Sequence, residues 1–119
     1  MNTTALHRVN ILALIGILSN ITDADYNHTD VYRKAPTCAA GWAILKRESF
    51  ITTSEYGHSN DFNFINDAFG VDMWGQVFNE EPWDSIVPRG LVTRQMVIDR
   101  LQSIANGSYT PIPEPTFAY

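Results

Sequence analysis

The stretch from Pro36 to Leu45 constrains this chain most. It holds the only cysteine, a glycine and a tryptophan within one short helix-forming run. Pro36 disfavours helix at Ala35, so the chain enters extended. Thr37 then reads as the N-cap, its hydroxyl accepting from an otherwise orphaned backbone N–H. Cys38, Trp42 and Leu45 fall at i, i+4 and i+7 on one face, which Ala39, Ala43 and Ile44 widen. Lys46 and Arg47 follow where positive charge suits the helix dipole. Gly41 is the exception, since glycine inside a helix costs about 1 kcal/mol against alanine. Close approach by another backbone accounts for it, and Gly16 in an upstream helix is the expected partner at a helix–helix crossing. The rest of the chain is expected to cover this stretch.

A chain of 119 residues fits one domain. It can bury roughly two-thirds of its unfolded surface without staples. With a net charge of −5, duplex DNA or an anionic membrane is not the expected partner. From Glu48 through Asp84 there are eight acidic residues and no Lys or Arg. That run is either a solvated acidic face or a docking surface for a basic partner, with Asp61, Asp67, Glu80 and Glu81 as its candidate contacts. A lone cysteine excludes an internal disulfide framework and fits a reducing cytosol. The Asn-x-Ser/Thr triplets at Asn2, Asn20, Asn27 and Asn106 matter only in a secretory pathway. Val9 to Leu18, after Arg8, imitates a signal-peptide core, but Leu18-Ser19-Asn20 is a poor cleavage site. The segment is too short to span a bilayer.

In chain order, Thr3 or Thr4 caps a first helix to about Asn20. Its start sets Leu6 and Val9 inward against His7, Arg8 and Asn10. Ile11 to Leu18 is apolar all round except for Gly16, so this helix is buried centrally or covered by a second copy. Asp23 to Asp30 has the look of a calcium loop but lacks its glycine and its twelfth-position acid, where His28 and Lys34 stand. It reads as a solvated loop with Asp/Asn turn chemistry. Ser59 is expected to cap a third helix through Phe69, with Phe62, Ile65 and Phe69 as core stripe. Gly70 is its stop. Asp72 is expected to cap a short fourth helix with Met73, Trp74, Val77 and Phe78 on one face, and Pro82 ends it. Trp83, Ile86 and Val87 lie in an irregular link. Thr93 caps a last helix to Asn106, with Val97, Leu101 and Ile104 inside and Arg94, Asp99, Arg100 and Gln102 mainly outside. From Tyr109 the prolines 111, 113 and 115 favour an extended tail, with Phe117 and Tyr119 as apolar anchors on this domain or on another chain.

Several of these pieces resemble a family of small uncharacterised proteins common in bacteriophages and prophages. They are Cys38-Ala39-Ala40-Gly41-Trp42-Ala43, Phe69-Gly70-Val71, Val77-Phe78, and Thr93 through Ile104. The resemblance covers most of residues 4 to 106. It implies a viral setting, in the host cytoplasm or the virion, and no particular mechanism. Many members carry a second cysteine a few residues earlier, where this chain has Arg33-Lys34-Ala35.

Two function classes follow. Cys38 at a helix start, followed by Trp-Ala, also resembles the nucleophile of papain-like enzymes. His58 or His28 would serve as base, and Asn60 or Asp61 as orienting group. Against this stands a buried, inert thiol packed beside Trp42. Zinc is not expected, because one cysteine with His7, His28 and His58 offers no close ligand pair. No phosphate loop is present, and no cofactor is implied. The expectation is an all-α single domain of about five short helices over residues 1–108, with an extended tail over 109–119. It would work as an accessory protein by protein–protein contact through Asp61, Asp67, Glu80, Glu81, Phe117 and Tyr119. Self-association would run through the first helix or the tail. A hydrolase using Cys38, His58 and Asn60 is the alternative.

Overall fold

The structure is a computed structural model that describes residues 3–29, 35–53, 60–88 and 91–113. Four α-helices form its body: α1 (Ala5–Ser19), α2 (Ala39–Leu45), α3 (Asp61–Phe69) and α4 (Arg94–Ala105). A π-helical turn, Trp74–Phe78, makes a fifth helical piece. Single 3-10 turns lie at Asp23–Asp25, Arg47–Ser49 and Glu81–Trp83. No strand occurs among the described residues; Tyr26 and Thr37 form one isolated bridge. The all-α expectation therefore holds.

Three helix starts use the same device. Thr4, Asn60 and Thr93 each accept from a first-turn amide, those of His7, Asn63 and Met96, satisfying a donor the helix itself cannot pair. The cap of α3 is thus Asn60 rather than the expected Ser59, which lies outside the described residues. Gly70 ends α3 at φ +92° and Gly107 follows α4 at φ +76°, a region that favours glycine.

Helix α1 is the axis of the fold, touching α2, α3 and α4. Its face does not follow the expected division. Asn10 is buried and Val9 is 48% exposed. The Asn10 amide donates to the carbonyls of Ile51 (2.7 Å) and Ala68 (2.8 Å) and accepts from the Ile51 N–H (2.9 Å). A polar side chain goes inside here because α3 and the 50–53 segment bring three backbone groups that need partners. Burial of α1 is also incomplete, for Leu12 and Gly16 lie on the exposed side with Val9.

The expected glycine crossing is absent. A Cβ on Gly16 would meet nothing within 4 Å, whereas one on Gly41 would overlap the Thr37 hydroxyl and lie 2.8 Å from its methyl. Gly41 is small because Thr37 folds over it. Thr37 is fully buried, and it is Cys38 that occupies the N-cap position of α2.

Elsewhere the core is aromatic. Phe50, Phe64, Phe69 and Phe78 form a chain of tilted and edge-to-face contacts with centroids 5.1–6.5 Å apart, in the favoured range for such pairs. Phe64 rather than Phe62 faces the core; Phe62 is 57% exposed. The piece after Asp72 is a π turn entered through Met73, without the expected side-chain cap. Two arginines expected outside turn inward. Arg94 donates to the Leu18 carbonyl and to Asp23. Arg100 lies 3.5 Å over the Trp83 ring and donates to the carbonyls of Gln76 and Pro82. Trp83 is accordingly a buried core residue, not part of a loose link.

The first part of the tail lies on the domain. The buried side chain of Gln76 holds it three ways. Its amide donates to the Ile112 carbonyl (3.0 Å), and its oxygen accepts from the Ile112 N–H (2.8 Å) and the Tyr109 hydroxyl (2.7 Å). Phe117 and Tyr119 lie outside the described residues.

Candidate functional site

Two places were candidates, the thiol and the acidic surface. The thiol site is closed. Cys38 has no exposed surface, and burial pushes its thiol above the usual range, although the N–H groups of Gly41 and Ala40 pull the other way. A helix start lowers a cysteine pKa where the thiolate keeps some solvent. Here the thiol is fully buried, with Thr37 and Tyr26, themselves buried, near it, so desolvation wins.

The imidazoles do not complete a dyad among the described residues. His58 lies outside them. His28 is buried and engaged at both nitrogens, Nδ1 with the Tyr26 hydroxyl (2.8 Å) and Nε2 with the Asn79 carbonyl (3.0 Å). Asn60 is committed to capping α3. No group of three or more His, Cys, Asp or Glu among the described residues could hold a metal ion. His7 and Asp72 share a shallow cleft of about 240 Å³, where the His7 ring is tethered to the Asp67 carbonyl (3.1 Å).

The acidic run divides in two. Asp61 pairs with Arg47 at 3.2 Å. Asp67 receives the N–H of Thr53 at 2.6 Å and also its hydroxyl. These two carboxylates brace α3 against the 47–53 segment, so they serve the fold. Glu81, Asp84 and Asp72 are exposed and Glu80 is half-buried. Three of these four border the π turn and its following 3-10 turn, and Asp72 precedes it.

On α3 and the π turn stands a feature that the spacing of the sequence does not show. Phe62 of α3 stacks on Trp74 of the π turn, with centroids 5.4 Å apart and planes 14° from parallel. The Trp74 indole N–H is held by the Asn66 side chain at 2.7 Å, and Phe78 abuts the indole edge at 5.7 Å. Trp74 is therefore held in place and Phe62 lies against it, yet Phe62 remains mostly in solvent. Gly75 is exposed beside them, and a Cβ there would meet nothing within 4 Å. The platform is apolar, and Phe62 and Gly75 leave it open to solvent. Its only sequence signal was the aromatic pair Phe62 and Phe64 on one short helix, of which one had to face away.

No helix among the described residues is long and apolar enough to cross a membrane. No protein-family model, curated protein or solved structure matches the chain.

Proposed function

We propose that this chain acts by protein–protein contact, and that its contact surface is the Phe62–Trp74 platform with the acidic residues Asp72, Glu80, Glu81 and Asp84 around the π turn. The observation that carries the reading is a stacked aromatic pair left open to solvent. Rings of this kind lose little conformational entropy on binding, and aromatic side chains dominate the energetics of interfaces. The acidic rim selects a basic partner and speeds its approach. The likeness to small phage and prophage proteins suggests a host factor or a virion component as that partner, within the host cytoplasm or the particle. Asp61 and Asp67 leave the list of contacts because Arg47 and Thr53 already occupy them. Phe117 and Tyr119 stay on it as part of the same proposal.

The hydrolase alternative requires Cys38 to reach a substrate carbonyl as thiolate. A buried thiol with a raised pKa argues against that role.

The test is capture of bacterial proteins on immobilised wild type, on Phe62→Ala, and on the triple variant Glu80→Lys, Glu81→Lys, Asp84→Lys. A partner retained by wild type and by Cys38→Ala, but lost by the other two, supports the reading. Capture indifferent to Phe62 and to the charge reversals overturns it.

A further inference from the structure

We infer that Tyr26 and His28 form an acid-sensitive latch that holds the 25–28 segment over Cys38. That segment lies along the start of α2. The Asn27 N–H donates to the Thr37 carbonyl (3.0 Å), and the Trp42 indole N–H donates to the Asp25 carbonyl (3.0 Å). Its far end is fixed to the π turn through His28 and Asn79.

The direction of the hydrogen bonds is set at both ends. A carbonyl only accepts, so His28 Nε2 carries the proton that bonds Asn79. Nδ1 of the neutral ring is then bare and accepts from the Tyr26 hydroxyl. The Tyr26 oxygen in turn faces the Ala39 N–H, one of the orphan donors of α2. The chain runs Ala39 N–H, Tyr26 O–H, His28, Asn79 carbonyl, with no member able to reverse.

A proton added at Nδ1 breaks this order. The Tyr26 hydroxyl loses its acceptor, and its oxygen meets two donors in a buried site. Three elements face the new cation. From the turn, Glu80 attracts it; from α4, Arg100 repels it; from the start of α2, the Cys38 thiol and the Ala39 N–H face it only through Tyr26, which stands between. The Trp83 ring stands edge-on at 5.8 Å and supplies no charge. Burial dominates and holds the His28 pKa below its ordinary value. The proton therefore goes to the open form, where the ring is solvated. Below an ordinary histidine pKa of about 6.5 the open population grows, up to tenfold for each pH unit.

The experiment compares the rate at which a disulfide reagent, 4,4′-dithiodipyridine, labels Cys38 in the folded chain with its rate on a short peptide spanning Cys38. The ratio removes the reagent's own pH dependence. Between pH 7 and pH 5.5 the protection of Cys38 should fall, by up to about eightfold where the closed form takes up no proton, while circular dichroism stays unchanged. The His28→Gln variant, which retains His7 and His58, should show a flat profile. Protection that is constant in wild type, that falls equally in His28→Gln, or that falls only with loss of dichroism overturns the inference. Should the variant not fold, nitrogen-15 spectra of wild-type histidines decide: a neutral Nε2–H tautomer for His28 at pH 7 supports the latch, and an Nδ1–H tautomer or an imidazolium refutes it.

Discussion

At Gly41 and Gly16 the same residue type has opposite meanings. Thr37 packs on Gly41, so Gly41→Ala must displace a buried threonine and should cost about 1–3 kcal/mol. Gly16 has open space around it, so Gly16→Ala should stabilise by about 0.5–1 kcal/mol through helix propensity alone. Urea denaturation of the two variants checks the pair, and equal effects would refute this assignment. Asn10 is the costlier site. Asn10→Leu leaves the buried Ala68 C=O without its partner, at a cost of about 1–3 kcal/mol, and frees the Ile51 N–H and C=O at less cost because Ile51 is exposed to water. That variant should lose a substantial part of the stability of a small domain. Cys38 sets an alkaline limit. Its folded pKa is raised, so the protonated thiol is favoured in the native state and ionisation is easier in the unfolded chain. Stability from this site is complete below the free-thiol pKa of about 8.5 and is lost as pH rises beyond it. Cys38→Ala should flatten that alkaline decline in thermal melts.

Among the elements, those that rest on local chemistry were legible. The caps at Thr4 and Thr93, the stops at Gly70 and Gly107, and the stripe Val97, Leu101, Ile104 follow from spacing and turn residues. Tertiary partners decided the rest. In α3, Phe62-Ile65-Phe69 and Phe64-Ile65-Ala68-Phe69 are both acceptable helical stripes, and the aromatic cluster with Phe50 and Phe78 selects the second. In α1 the inward turn of Asn10, and in α4 that of Arg94 and Arg100, depend on carbonyls supplied by distant segments, which periodicity does not register. The π turn carries both Gln76, which holds the tail, and Trp74, which stacks on Phe62. Gln76→Ala should release Tyr109 and Ile112 while leaving the four α-helices formed. Amide exchange at residue 112, whose N–H donates to Gln76, should then speed up by an order of magnitude or more, with little change in α4. Unchanged exchange there would show that the tail is held by other contacts.

Over the whole molecule, a radius of gyration of 13.6 Å is that of a well-packed chain of this length. The buried polar groups described above act as fasteners between α1, α3, α4 and the tail. Among the described residues this arrangement closes off the thiol and leaves the Phe62–Trp74 pair as an exposed aromatic surface. The class all-α, the single cysteine and the acid-rich middle were readable from composition and order. The surface was not, because exposure of Phe62 is a property of packing. It is also why the acidic candidates divide: Asp61 and Asp67 are consumed by Arg47 and Thr53, contacts set by how α3 lies on the 47–53 segment. The central claim is that binding occurs at the face formed by α3 and the π turn. Amide exchange of the chain, free and bound to its captured partner, measures this most directly. Protection concentrated at residues 61–63 and 71–81 is the predicted result; protection confined to the Val9–Gly16 side of α1, or to the segment around Cys38, would contradict it.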